Sequence, residues 1–206
     1  MAKRDWQRFA PLTGLLFVIL TVVSFLIEGE PPDNDAPGRE IVEFYTDNEG
    51  RVIVGAILAS LAAVSLIFFA ANVRRALRRG EQGVGVLSVA ALGGGIVAAT
   101  GIATDAAIRF TLADGADDIE PVAMQTLHAL WSGFFLPMVV GIATLILALS
   151  LAALRTRVIP PWLAWIGFLL FIMFFTPIGF IAFLVSGLWI AAVSVLLWRQ
   201  EPAASV

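Results

Sequence analysis

Cysteine is absent from the 206 residues, and histidine, lysine and tyrosine occur once each, as His128, Lys3 and Tyr45. Without cysteine there is no disulfide framework, no thiolate nucleophile and no cysteine metal site. A bis-histidine haem needs a second histidine, and a retinal Schiff base needs a lysine inside a span, whereas Lys3 precedes the first apolar run. No HExxH, GxSxG or P-loop pattern occurs. No pair of acids is expected deep in an apolar run, as an intramembrane protease or proton-coupled antiporter requires. No metal and no cofactor are therefore expected. Charge is also scarce, at 14% of residues against 59% hydrophobic, and it clusters between apolar runs. Runs of about 20 apolar residues match the ~30 Å of hydrocarbon in a bilayer, so an all-α, polytopic membrane helix bundle is expected.

The first run, "FAPLTGLLFVILTVVSFLI" at 9–27, ends in "EGEPPD" rather than at a small-residue cleavage site, and reads as an uncleaved anchor. Further spans follow at 52–72, 83–104 and 121–154, the last kinked at Pro137. The apolar stretch from Pro161 to Trp198 is interrupted by "FFTPIGF" and divides into spans at about 160–175 and 178–198 with a turn at Thr176 and Pro177. Six transmembrane helices in one membrane domain result.

Charge orients them. On the six-span layout ten of the 13 basic residues, among them Arg74, Arg75, Arg78, Arg79, Arg155 and Arg157, fall on one side, which the positive-inside tendency makes cytoplasmic. Both termini are then cytoplasmic, N-in and C-in. The outer segments hold 13 of 16 acids and three arginines, 3 − 13 = −10 formal charges. Such a face disfavours nucleic acid and anionic headgroups and favours cations.

Within the first outer loop, "GREIVEFYTDNEGR" at 38–51 places Ile41, Val42, Phe44 and Tyr45 opposite Glu40, Glu43 and Asp47, the pattern of a short amphipathic helix. Two uses suit it, a lid over an outer cavity or a device that aims the second span. "RTRVIPPWLAWIGF" at 155–168 sets arginines at the headgroups, prolines at a helix start and Trp162 and Trp165 in the interface belt. "EIVEFYTDN" and "PPWLAWIGF" resemble segments of a loose group of six-span actinobacterial integral membrane proteins of unknown function. The use of 12 arginines to one lysine suits a high-GC genome. The resemblance implies a multi-pass protein of the bacterial cell membrane and carries no activity.

Span three is nearly all small, with Gly93, Gly94, Gly95, Ala98, Ala99 and Gly101, and is expected to pack centrally by close backbone approach. Spans five and six carry Phe168, Phe171, Phe174, Phe175, Phe180, Phe183 and Trp189, expected to meet lipid or a partner protein. Counting about 20 residues up from Ala152 reaches Gly133, which lifts His128 roughly 8 Å further, to headgroup level. Asp105 and Arg109, spaced i,i+4 at the outer end of span three, can pair at about that height. Pro137 cannot donate to the carbonyl of Gly133, leaving an acceptor one turn below His128. Asp105, Arg109, His128, Trp131, Ser132 and Gly133 are thus the candidate ligand-binding residues of an outer vestibule between spans three and four.

Three functions remain open. One is a non-enzymatic accessory or scaffold subunit that docks a membrane protein partner through spans five and six. Another is a carrier or binder of a lipid or small amphiphile that enters the vestibule. The third is a membrane enzyme with His128 as base and Asp105 as its orienter. Membrane lipids are partners in all three.

Overall fold

The computed structural model describes residues 9–80 and 85–200. The basic residues Lys3, Arg4 and Arg8 and the first residues of the third expected span lie outside them. All regular structure among the described residues is helical. A 3-10 turn, Ala10–Leu12, leads into α1 (Thr13–Glu28), which stops at Gly29. There φ is 79° and ψ −165°, a region that essentially only glycine enters without strain. After Pro37 come α2 (Gly38–Asp47) and α3 (Glu49–Arg78), separated by Asn48, whose Nδ2 donates to the Phe44 carbonyl at 2.9 Å. α4 (Val86–Asp114), α5 (Pro121–Gly133), α6 (Phe135–Thr156), α7 (Pro161–Phe174) and α8 (Gly179–Gln200) complete the order.

Among the described residues five stretches are long and apolar enough to cross a membrane: Ala10–Glu28, Gly38–Arg78, Val86–Asp114, Pro121–Thr156 and Gly179–Gln200. α7 has 14 residues and reaches about 21 Å at 1.5 Å each, short of a ~30 Å hydrocarbon core. Prolines set both interruptions in the second half of the chain. The α5–α6 break is at Phe134, three residues before Pro137, which cannot donate to the carbonyl four residues back and crowds it. Pro177 sits in the turn between α7 and α8.

The long helices form a ring in which α1 packs on α3, α3 on α4, α4 on α6, α6 on α7, α7 on α8 and α8 back on α1. α4 makes the closest approaches. A Cβ on Gly94 would sit 2.6 Å from the Leu145 amide nitrogen, one on Gly101 2.8 Å from that of Met138, and one on Gly141 would run into the backbone of Ala98. Close contact between small faces associates helices where no water drives them together. The expectation of a central α4 needs correction: it stands between α3 and α6, and its Gly93, Ile96, Val97 and Thr100 face outward. Small residues occupy both of its faces, and one is left without a helical neighbour.

The aromatics of α7 and α8 also divide by face. Phe175 and Phe180 are exposed, but Phe174, Phe183 and Trp189 are buried, and the Trp189 indole donates to the Leu163 carbonyl at 2.9 Å. Positions 183, 186, 190 and 193 recur with the helical period and share the inner face.

α2 and α5 build a second small core at one end of the ring, where Ile41, Tyr45, Val52, Leu112 and Met124 are buried together. Gln125 donates to the Ala36 carbonyl at 3.0 Å and Thr46 to Asp117 at 3.1 Å, so the 29–37 connection and α2 are tied down over the helix ends.

The glycine contacts set an expectation that thermal unfolding in a mild detergent checks. Gly141→Ala should destabilise by about 1–3 kcal/mol, because Ala98 backbone has nowhere to move. Gly93→Ala, whose Cβ would meet nothing, should be neutral or stabilising by up to about 1 kcal/mol. Equal losses would mean that the α4–α6 contact is not the tight one.

Candidate functional site

Beneath the second small core, the guanidinium of Arg109 on α4 is shared by two carboxylates. One turn back on the same helix, Asp105 accepts from its Nη2 at 2.7 Å, as the i,i+4 spacing allows. From α1, 81 residues away in sequence, Glu28 accepts from Nη1 through Oε1. Arg109 is only 5% exposed and Glu28 9%. Ser24, one turn before Glu28, places its hydroxyl 3.1 Å from the same Oε1 and 2.9 Å from the carbonyl of Gly55 on α3. Gly55 is required there, since a Cβ would collide with the Glu28 carboxylate. Charges withdrawn from water persist only when paired and hydrogen-bonded, and this geometry does both. Removing Arg109 would leave the buried Glu28 and the partly buried Asp105 without their shared counter-charge.

Asp105 and Arg109 form part of the wall of a cavity of about 530 Å³ on the inner side of the ring. α1 contributes Thr21, Ser24 and Phe25, the following connection Pro31 to Asn34, and α8 Phe180 and Phe183. The α5–α6 break turns Trp131, Ser132, Phe135 and Met138 toward it. The size is that of a small-molecule site, and the lining is mostly apolar with its helix-borne charge at Asp105 and Arg109. Two buried donors of the wall residues, Arg109 Nε and Trp131 Nε1, have no hydrogen-bond partner within the protein.

Of the six candidate residues, Asp105, Arg109, Trp131 and Ser132 line the cavity. Gly133 is not a lining residue, and a Cβ there would point into open space. The vestibule expected between two spans has a wider wall, to which α1, α3 and α8 contribute beside α4, α5 and α6. His128 is fully buried rather than at a headgroup surface. Its Nε2 lies 3.1 Å from the Pro32 carbonyl and its Nδ1 3.1 Å from the Tyr45 hydroxyl. A carbonyl only accepts, so Nε2 carries the proton and Nδ1 of the neutral ring accepts from Tyr45. Both nitrogens are thus committed to α2 and the 29–37 connection, and neither to Asp105. The depth count along α5 did not include the chain that folds back over it. His128 holds the cavity wall at Pro32 in place and packs beside Trp131, with ring centroids 5.3 Å apart.

Glu28, Ser24 and Tyr45 are the residues that sequence reasoning missed. The one available signal was the Ser24–Glu28 spacing, i,i+4 on the helix that Glu28 ends.

Among the described residues no three potential metal ligands converge. Comparison of the chain with protein-family models, with curated proteins and with solved structures found no match. The reading of the site therefore stands on its geometry.

Loss of either partner of the Tyr45–His128 hydrogen bond leaves buried polar groups unpaired, at about 1–3 kcal/mol. Tyr45→Phe and His128→Gln should each lower thermal stability by that order, and the double variant should lose clearly less than the sum. Additive losses would show that the two side chains do not act together.

Proposed function

We propose that this protein is a multi-pass protein of the bacterial cell membrane that binds a lipid or small amphiphile in the cavity between α1, α4, the α5–α6 break and α8. The observation that carries the reading is the division of that cavity: a mostly apolar wall wide enough for a hydrocarbon or ring system, and one stretch of it, at Asp105 and Arg109, that holds an ion cluster. An amphiphile has that same division. The six-span layout, with both termini cytoplasmic and the cavity facing outward, is supported by the arginines at 74–79 and 155–157 and by the acids around α2. α7, flanked by prolines and packed between α6 and α8, would make the fifth crossing by locally thinning the bilayer or with its flanking residues.

The accessory-subunit reading draws on the exposed side chains of α7 and α8, such as Trp162, Trp165, Ile172 and Phe180. Lipid satisfies those surfaces as well as a partner would, so they do not favour it.

Topology is checked with introduced cysteines in intact cells, the native chain having none. Asp35→Cys and Asp118→Cys should react with an impermeant thiol reagent and Arg74→Cys should not; the reverse pattern would turn the cavity to the cytoplasm.

The cavity is checked with N-phenyl-1-naphthylamine, an uncharged fluorescent amphiphile. Ser132→Phe places bulk into the wall and should weaken its binding by about tenfold, equivalent to ~1.4 kcal/mol, while Gly133→Phe, one residue outside the wall, should not. The two variants behaving alike, with both folded, would remove the cavity reading.

A further inference from the structure

The charge in the cavity wall specifies a head group, an inference that depends on the cavity being a binding site. Glu28 and Asp105 carry two negative charges and Arg109 one positive, −2 + 1 = −1. Among the described residues Arg109 is the only basic side chain in the wall, and Asp33 adds a further acid. The guanidinium is already committed to both carboxylates, so it has no full charge to offer an anion. A carboxylate or phosphate head would enter beside two acids. A cation instead restores neutrality in a poorly hydrated place, where an uncompensated charge is most costly. The wall also supplies ring faces from Phe25, Trp131, Phe135, Phe180 and Phe183, which attract ammonium groups, quaternary ones included. The unpartnered Arg109 Nε and Trp131 Nε1 can take a neutral oxygen or a water without altering that count.

We propose that the cavity selects lipophilic monocations: molecules with an apolar body and one amine or quaternary onium head, the head beside Asp105, with Glu28 adding its charge from behind Arg109, and the body against Ile102, Phe135, Met138 and Phe183. The acid-rich segments around 28–49 and 105–120 enrich such cations at the entrance.

Tetraphenylphosphonium and tetraphenylborate have the same shape and opposite charge, and so isolate this property. With the full chain in uncharged maltoside micelles, each ion is titrated against bound N-phenyl-1-naphthylamine, and direct binding of each is measured by equilibrium dialysis. The phosphonium should displace the probe at about tenfold lower concentration than the borate. Asp105→Asn and Glu28→Gln, each bringing the cluster to zero net charge, should reduce that preference to about threefold or less, read as the ratio of the two ions on the same folded variant so that any common loss of affinity or stability cancels. Equal or tighter borate binding to the unaltered protein overturns the proposal, as does a preference unchanged in both variants. Probe binding without ion preference removes the head-group assignment alone. If neither the probe nor either ion binds, the cavity reading falls with it.

Discussion

Arg109 joins parts of the chain that nothing else brings to one point. Its guanidinium holds Asp105 on its own helix and Glu28 at the end of α1, and Glu28 in turn sits against Ser24 and over Gly55 on α3. Three helices are thereby fixed in register beside the cavity. In a water-poor interior such a cluster adds little net stability over a well-packed apolar one, but losing one member is expensive, at about 3–5 kcal/mol. The cluster therefore specifies one arrangement of α1, α3 and α4 more than it stabilises the bundle as a whole. It also polarises the cavity, because every charge that reaches the wall from a helix belongs to this cluster.

The cavity exists because tight and loose packing alternate along the same pair of helices. α4 and α6 touch backbone to backbone at Gly94, Gly101 and Gly141, with no room for a methyl group. Just beyond Gly101 the α5–α6 break interrupts the second of these helices, and Pro137 is its cause. Past the break α5 no longer follows α6, and the space it vacates is lined by Trp131, Ser132, Phe135 and Met138. Glycine contacts hold the walls at one depth while proline parts them at the next.

What the sequence discloses here follows from the range of the interactions. Helices separated by polar clusters are legible because hydropathy is local, and the Asp105–Arg109 pair is legible because four residues make one helical turn. Trp131 and Ser132 follow from the same helix, and Pro137 announces its break. Glu28 stood in "EGEPPD" as one acid among many, and only the fold brings it to a guanidinium 81 residues on. The burial of His128 was not legible for the same reason: a depth count along one helix cannot know that α2 and the 29–37 connection return over it. The burial of Phe183 and Trp189 depended on which face of α8 meets α1 and α7, and a helix apolar all round does not reveal that face.

The buried histidine and the buried arginine act on the same wall from opposite sides. His128 fixes Pro32 through its Nε2 proton and leans on Trp131, while Arg109 and Asp105 occupy the neighbouring stretch of that wall. The 29–37 connection is anchored at its start by Glu28 and across its middle by His128, with Gln125 holding Ala36 near its end. A connection pinned at three points is a wall and not a loose flap, so the cavity has a defined shape before anything enters it. Preformed shape reduces the ordering cost of binding, leaving the charge and the apolar lining to decide what is retained. The polar residues of this end of the bundle thus divide into those that build the cavity, Tyr45, His128 and Gln125, and those that give it a sign, Glu28, Asp105 and Arg109.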